Sequence, residues 1–181
     1  MAIAADSLDT ATMIEVRAAT PEDAYDVARV HVRSWQWAFR GLISQDYLDN
    51  LSPQDWVDRY TVGRMGLRLP STQVAVDGSA IRGLATTGLS RDTELSNFGE
   101  LRAIYVDPEH VCTGVGRLLM TAARERLRRV GVTAAVLWVL DGNARARRFY
   151  ERDGWNFDGT RRTEIIGDTP VDQMRYRCSL T

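Results

Sequence analysis

A glycine-containing segment at residues 107–116 constrains the fold of this chain more than any other part of its sequence. It lies between an apolar run at residues 101–106, which predicts a strand, and an amphipathic stretch at residues 117–130, which predicts a helix. The first N–H groups of a helix lack partners within the helix, and the helix dipole places partial positive charge there. Because Gly114 and Gly116 leave the backbone open to close approach, this junction predicts a site for an anion, above all a pyrophosphate.

The basic residues exclude two kinds of chemistry. All 23 of them are arginine, and none is lysine. A Walker-type phosphate loop needs its lysine to reach the phosphates, and a Schiff-base mechanism needs a lysine amine, so we expect neither. The formal net charge of -1 gives no overall attraction to nucleic acid or to a membrane surface. No apolar run approaches the roughly 20 residues that a membrane-spanning helix requires.

The length of 181 residues suits one globular domain. Residues 1–12 are small and polar, which predicts a flexible N-terminal extension, and residues 13–181 are expected to form the single domain. The N-terminus has no basic region, so we expect no secretory signal. Cys112 and Cys178 are too far apart in sequence to predict a pair of metal ligands. A disulfide between them stays open, but free thiols in a reducing cytoplasm are favoured.

The hydrophobic patterning predicts helices in the first third of the chain and mainly strands after it, and therefore a mixed α/β domain. The predicted elements, in chain order, are a strand at 13–18, helices at 20–39, 46–50 and 52–60, a hairpin of 72–76 and 81–89, a strand at 101–106, a helix from 116 to 130, a strand at 134–140, a helix at 144–152, and strands near 155–165 and 171–180.

Two segments together resemble the coenzyme-binding core of the GNAT acetyltransferase superfamily. Residues 111–116 resemble the signature Arg/Gln-x-x-Gly-x-Gly/Ala at a strand–loop–helix junction. Residues 143–155 resemble the signature Asn-x-x-Ala-x-x-Phe-Tyr-x-x-x-Gly-Phe/Trp. The element order fits over residues 14–180. The resemblance implies a mixed, mostly antiparallel sheet of six to seven strands, flanked by helices, with a splayed central strand pair.

The resemblance also implies acetyl-coenzyme A as the acyl donor and no metal. Backbone amides of the junction loop and of the first helical residue after it would hold the pyrophosphate; these belong to Val111, Cys112, Thr113, Gly114, Val115, Gly116 and Arg117. Backbone groups of Ile104 and Val106 would pair with the pantetheine arm and the thioester carbonyl, and Asn143 would touch the pantetheine. The sequence departs from the signature at its first two positions, where Arg/Gln and a common glycine are replaced by Val111 and Cys112. Such changes keep the backbone donors but lose a side-chain contact, which implies weaker coenzyme binding.

Tyr150 is the candidate catalytic acid. A tyrosine with an ordinary pKa of about 10 stays protonated at neutral pH, so it can donate a hydrogen bond or a proton to the departing sulfur. Helical spacing places Phe149 and Tyr150 on one face together with Ala146 and Asp153. Core packing alone accounts for Phe149. For Tyr150 core packing stays open, and its place in the matched segment favours catalysis.

Glu100 is the candidate base. It lies six residues ahead of Val106, where some members of the resembled family carry a glutamate that serves as base. An ordinary carboxylate is a poor base for an amine unless burial raises its pKa or a water relays the proton. The alternative, a solvated acid at the start of a strand, stays equally open.

The remaining candidates concern the acceptor and the core. Trp35 and Tyr47 lie in the region that forms one wall of the acceptor groove in the resembled family, so they are the candidate substrate contacts. His31 falls on the apolar stripe of the first helix and is expected to be a hydrogen-bonded core histidine. A nucleophilic Cys112 is not favoured, because no third group orients it with His110. Dimers are common in this family, so a homodimer stays open.

Three functions follow from these patterns. The leading one is an N-acetyltransferase in which an amine, on a small molecule or a protein N-terminus, attacks the donor directly in a ternary complex. The second is an acyl-coenzyme A sensor without efficient catalysis, supported by the departure at Val111. The third is a dinucleotide oxidoreductase; its third glycine would fall at Leu119, and no acidic residue stands at the expected strand end.

Overall fold

The computed structural model describes residues 13–60, 62 and 69–181. The extension expected at residues 1–12 lies outside the described residues. No helix in the described ranges is both long enough and apolar enough to cross a membrane.

Seven strands form one sheet. In chain order they are β1 (Glu15–Ala18), β2 (Ser71–Asp77), β3 (Ala80–Leu89), β4 (Gly99–Val106), β5 (Ala134–Leu140), β6 (Asn156–Ile166) and β7 (Thr169–Ser179). Their order across the sheet is β1-β2-β3-β4-β5-β7-β6. β4 and β5 run parallel, and every other neighbouring pair is antiparallel. The predicted α/β fold with a mixed, mostly antiparallel sheet flanked by helices is confirmed.

In the ranges that the structure describes, four α-helices cover the sheet: α1 (Ala24–Ala38), α2 (Gln45–Asp49), α3 (Val115–Val130) and α4 (Ala144–Arg152). The continuous helix predicted at residues 52–60 is wrong. Two single 3₁₀ turns, Pro53–Asp55 and Val57–Arg59, replace it. Trp56 separates the turns and packs its ring on His31, with 4.0 Å between ring centroids, so tertiary packing overrides the local helical pattern.

The two faces of the sheet carry different helices. On one face α1 buries Val27 and Val30 against Val74 and Leu84 of the β2–β3 hairpin. On the other face α3 buries a row spaced by four residues, namely Val115, Leu119, Ala123 and Leu127. Both faces of the central strands are therefore covered, and a ligand can reach them only where the sheet itself opens.

The sheet opens between β4 and β5. The parallel pairing of these strands is limited to Gly99 with Ala135 and Glu100 with Val136. Beyond that point β4 pairs with β3 alone, and the backbone edge that faces β5 is left without a strand partner. The strands therefore diverge toward Val106, which places a gap at the centre of the sheet as the splayed pair requires.

Candidate active site

A cleft of roughly 1180 Å³ occupies the gap between β4 and β5. It runs from a Gly114 end, at the start of α3, to a Glu100 end, where the two strands are still paired. The sequence-predicted residues that line it are Trp35, Glu100, Ile104, Val106, Val111, Cys112, Gly114, Gly116, Arg117, Asn143 and Tyr150. The structure thus brings both ends of the predicted site into one continuous space. Thr113, Val115 and Tyr47 are not among the lining residues.

The junction loop (residues 111–116) presents free backbone donors at the Gly114 end. No described residue accepts a hydrogen bond from the amides of Val111, Cys112, Gly114, Val115 or Gly116. The amide of Thr113 makes only a long contact of 3.4 Å to the carbonyl of His110, and that of Arg117 donates to the carbonyl of Gly114 at 3.0 Å. Several unsatisfied N–H groups at the positive end of a 16-residue helix form an anion-binding arrangement.

The shape of the junction loop depends on two left-handed residues. Gly114, the residue before α3, has φ +97°, a value that only glycine adopts without strain. Cys112 has φ +67° and is the one non-glycine residue with positive φ in the described part of the chain. Backbone strain of this kind costs about 1–3 kcal/mol and often marks a functional site.

Arginine side chains add positive charge to the Gly114 end. Arg117 and Arg145 line the cleft and contact the junction loop. Arg145 lies with its guanidinium 4.6 Å from the centroid of the Trp37 ring, and its Nη2 is 3.5 Å from the sulfur of Cys112. Arg145 therefore links α1, α4 and the junction loop across the mouth of the cleft.

The segment before the junction loop is held by a buried carboxylate. Asp107 is 4% exposed and accepts a hydrogen bond from the amide of Glu109 at 3.1 Å. Arg33 of α1 forms an ion pair with Asp107 at 2.9 Å and a second one with Glu109 at 3.0 Å. These partners raise the pKa of Arg33, the hydrogen bond to Glu109 contributing most. Sequence reasoning missed Arg33, because 74 residues separate it from Asp107 and no pattern links them.

Tyr150 lies on α4, in the middle of the cleft. Its ring is 9% exposed, and its hydroxyl makes no hydrogen bond with any described residue. Burial raises the pKa of Tyr150 well above its ordinary value, with a smaller contribution from Tyr105. The phenol therefore stays protonated across the physiological range, with a donor available to whatever occupies the cleft.

The position of Tyr150 is fixed by both ends of its helix. At the N-terminus of α4 the side-chain oxygen of Asn143 accepts from the amide of Ala146 at 3.1 Å. At the C-terminus the amide of Trp155 donates to the carbonyl of Tyr150 at 3.0 Å. Asn143 lines the cleft and also caps α4, so its side-chain nitrogen remains as the hydrogen-bond donor for a ligand.

Glu100 is buried rather than solvated. It is 3% exposed, so the alternative of a solvated acid at a strand start is wrong. Its carboxylate accepts from the amide of Arg91 at 3.0 Å and from Nη2 of Arg91 at 2.6 Å. The Arg91 side chain is 61% exposed, and it covers the carboxylate from the solvent side. A proton acceptor is thus present in the cleft, with an arginine bound to it.

The two candidate substrate contacts lie in different places. Trp35 lines the cleft, whereas Tyr47 packs on the turn between β6 and β7, where a Cβ on Gly167 would collide with the Tyr47 ring. That contact and a hydrogen bond from the amide of Ser44 to Thr169 join the loop before α2 to the β6–β7 hairpin. Tyr47 therefore packs against the β6–β7 hairpin and does not line the cleft itself.

Sequence reasoning missed several residues at the Glu100 end. Arg91, Arg102, Trp138 and Arg162 all line it, and a smaller cavity of roughly 330 Å³ adjoins it. The guanidinium of Arg162 lies 4.0 Å from the centroid of the Trp138 ring. The only sequence signal was the placement of polar residues within strands, which does not reveal which strands meet.

His31 is a core residue, as the apolar stripe predicts. It is 4% exposed and lies among the rings of Trp35, Trp56 and Tyr105, with its Nδ1 hydrogen-bonded to the hydroxyl of Tyr60. Burial lowers the pKa of His31 to about 3, with a smaller contribution from the charge of Arg59. A histidine held neutral in this way does not serve as a base near pH 7.

Neither cysteine is paired. Cys112 is exposed on the junction loop and Cys178 is buried in the core, so the expectation of free thiols is confirmed. Burial raises the pKa of Cys178 to about 11, which keeps it an unreactive thiol.

Comparison with known proteins gives a consistent result. The model of the acetyltransferase (GNAT) family matches residues 30–155. The chain is 33% identical over 132 residues to the uncharacterized N-acetyltransferase YuaI of Bacillus subtilis, with 72% of this chain and 74% of that protein covered. It is 24% identical over 157 residues to a spermidine N(1)-acetyltransferase of Thermoplasma acidophilum, with coverage of 84% and 94%.

The fold is also similar to the folds of solved structures. The PaiA N-acetyltransferase of Thermoplasma acidophilum, solved in complex with coenzyme A, superimposes with a TM-score of 0.71 at 19% identity. The match covers 92% of this chain and 99% of that one. At this identity the likeness concerns the fold alone.

Proposed function

The chain belongs to the GNAT acetyltransferase family, and from this premise we propose that it transfers an acetyl group from acetyl-coenzyme A to a primary amine by direct attack within a ternary complex. The observation that carries the proposal is the arrangement of one cleft. Free amides lie at its Gly114 end, an unpaired strand edge runs along it, and Tyr150 presents an unbonded hydroxyl in its middle.

The Gly114 end supports binding of the donor through its diphosphate. The amides without acceptors, together with Arg117 and Arg145, supply hydrogen bonds and positive charge to an anion. Beyond that end, the backbone of Ile104 and Val106 offers strand-type hydrogen bonds on the edge that β5 leaves open, which suits an extended amide-containing arm. The departures at Val111 and Cys112 leave these backbone donors in place.

In the proposed reaction the nitrogen lone pair of the amine attacks the thioester carbon, and the carbon–sulfur bond breaks. Tyr150 hydrogen-bonds the departing sulfur and passes its proton to it. The attacking nitrogen then releases its extra proton to the resulting tyrosinate or to solvent, so the products are a neutral amide and the thiol of coenzyme A. Glu100 accepts the proton that the substrate ammonium must first lose, through a water or after Arg91 moves away from it. Most of the rate enhancement would come from holding the two reactants together.

The experiment is a thiol-release assay with purified protein, acetyl-coenzyme A and a diverse panel of primary amines. We expect coenzyme A release that depends on the amine, together with N-acetylated product by mass spectrometry. Binding of acetyl-coenzyme A without turnover of any amine would instead support the sensor. Thermal stabilisation by NAD but not by acetyl-coenzyme A would support the oxidoreductase.

Two glycines at opposite ends of α3 offer a matched pair of variants for donor binding. Gly114 and Gly131 both have strongly positive φ, and a Cβ on either one meets no atom within 4 Å. Alanine therefore imposes a similar strain of about 1–2 kcal/mol at both positions. Gly114→Ala should weaken acetyl-coenzyme A binding, measured by calorimetry, while Gly131→Ala should not. Equal affinities in the two variants would contradict the proposed diphosphate site.

A further inference from the structure

Resting on the proposed function, we infer that the acceptor carries a carboxylate next to its amine, and that Arg102 binds that carboxylate. The acceptor would then be an amino acid or a close analogue rather than a polyamine. The inference starts from the position of Arg102 in the strand that forms one side of the cleft.

Arg102 occupies a β-bulge at the point where the sheet opens. Leu101 pairs with Thr87 and Ala103 pairs with Thr86, so Arg102 faces no residue on β3. A bulge redirects the side chain of the extra residue, and bulges are frequent beside active sites. Arg102 lies two residues after Glu100, which is the last residue of β4 that pairs with β5.

Within the described part of the chain, Arg102 forms no ion pair, although the charge of Glu100 acts on it from nearby. At the Glu100 end and in the adjoining cavity, each carboxylate already has a guanidinium: Glu100 has Arg91 at 2.6 Å, Asp92 has Arg175 at 2.6 Å, and Glu164 has Arg162 at 3.0 Å. Among the described residues, Arg102 bonds only to the neutral carbonyl of Leu89, at 2.9 Å through Nη2. As far as the described residues show, one guanidinium at this end of the cleft is therefore left without a carboxylate of its own.

Partial burial makes the positive charge of Arg102 energetically unfavourable. Its Nε is buried and has no acceptor, and burial lowers the pKa of Arg102 despite the nearby charge of Glu100. Arginine nevertheless stays protonated in proteins, so the group remains a half-buried cation with unused donors. An anion bound here would form charge-assisted hydrogen bonds and offset the cost of burial.

The donor does not supply this anion. Val106 is four positions after Arg102 in β4, about 13 Å along an extended strand, and the junction loop lies beyond. The diphosphate at the Gly114 end is therefore out of reach, and the thioester is neutral. The acceptor is the remaining reactant, and its amine must lie near Glu100. A carboxylate one or two bonds from that amine would reach Arg102.

The test compares amino acids with their primary amides, which differ only at the group that Arg102 would bind. The amine of the primary amide is less basic than that of the acid, so it loses its proton more readily. This difference by itself would favour the amide, which is the opposite of the result that the inference predicts. For the preferred side chain we expect kcat/KM to be on the order of 10- to 100-fold higher for the acid. Arg102→Gln should bring this ratio close to one, and Arg102→Lys should retain part of it.

Arg82→Gln is the matched control, since Arg82 is a partly buried arginine of β3 paired with Asp77 and lies outside the cleft. It should keep the acid-to-amide ratio of the parent protein. A parent protein that acetylates acids and amides equally, or prefers spermidine to every amino acid, overturns the inference while the proposed function stands. An equal loss of rate on all amines in Arg102→Gln, with the ratio kept, also overturns it.

A binding measurement separates failure of the inference from failure of the proposed function. With coenzyme A present, N-acetylamino acids should raise the melting temperature more than their amides do, and Arg102→Gln should remove the difference. If no amine is turned over but this difference is found, the transferase proposal fails and the carboxylate site remains. If acids and amides bind equally, the carboxylate site is overturned.

Discussion

At the scale of single residues, burial sets the protonation states of two titratable groups in and beside the cleft. Burial keeps Tyr150 protonated and His31 neutral near pH 7, whereas Glu100 is held by an arginine. The one unbonded acid in the middle of the cleft is therefore a phenol, as far as the described residues show. A phenol that stays protonated near pH 7 can donate a hydrogen bond or its proton to a departing thiolate.

Replacing Tyr150 by phenylalanine tests this role. The ring would still fill its place between α4 and the sheet, so Tyr150→Phe should fold and bind acetyl-coenzyme A as the parent does. We expect turnover to fall by about 10²-fold or more, because a positioned general acid contributes that much. Steady-state kinetics on the best amine and donor affinity by calorimetry measure the two effects.

Tyr25→Phe provides the control, since Tyr25 lies on α1 with 53% of its surface exposed and does not line the cleft. It should leave turnover unchanged. A Tyr150→Phe variant with the turnover of the parent would remove Tyr150 from the mechanism.

At the scale of elements, α1 and the junction loop are joined by one arginine. Arg33 contacts both Asp107 and Glu109, and the amide of Asp107 itself donates to the carbonyl of Arg82 on β3. The helix that walls one side of the cleft thus also holds the segment that leads into the loop. The geometry of the free amides depends on this contact between distant parts of the chain.

Arg33→Gln should weaken donor binding. Without its cation, the buried Asp107 carboxylate would shift to find solvent, and the junction loop would follow it. We expect the Kd for acetyl-coenzyme A to rise roughly 10-fold, as for the loss of one charge-assisted hydrogen bond. The reference is Arg29→Gln on the same helix, which breaks only the exposed pair with Asp26. Equal Kd values in these two variants would show that Arg33 does not position the loop.

At the scale of the whole molecule, a cluster of aromatic rings around His31 ties α1 to the 3₁₀ turns and to β4. Tyr60 donates or accepts at the Nδ1 of His31, and Trp56 and Tyr105 pack on its ring. Because the ring is buried in its neutral form, protonation is linked to unfolding. The stability of the protein should therefore depend on pH below neutrality.

The direction of this dependence follows from the lowered pKa of His31, which is about 3 in the folded protein against 6.5 ordinarily. The unfolded chain binds the proton more readily, so the stability due to His31 is present above pH 6.5 and is lost as the pH falls. Between pH 7 and pH 5 the loss is about 2 kcal/mol. Urea unfolding at both pH values measures it.

His31→Phe keeps a ring in the cluster and removes the titrating group. Between pH 7 and pH 5, the unfolding free energy of this variant should therefore fall by about 2 kcal/mol less than that of the parent protein. Val30→Ala is the control for destabilisation alone, since Val30 is fully buried on the same helix. That variant should lose stability equally at both pH values. The same pH dependence in His31→Phe as in the parent would exclude His31 as its source.

Local patterns determined the elements of this protein. The bounds of β5 and α4 are those that the sequence predicts, because a continuous apolar run, a capping asparagine and a terminating glycine act within a few residues. The failure at residues 52–60 has the opposite cause: the ring of Trp56 packs on His31, a contact that no local rule contains.

The tertiary structure alone decided what the cleft can hold at each end. The sequence indicated an anion site at the junction loop because free helix amides are a local property of the backbone. It could not show that Arg91 covers Glu100, that Arg33 holds Asp107, or that Arg102 lacks a carboxylate. Those facts depend on charges from strands and helices far apart in the chain. Coulombic and burial energies follow distance in space, and only the folded sheet fixes that distance.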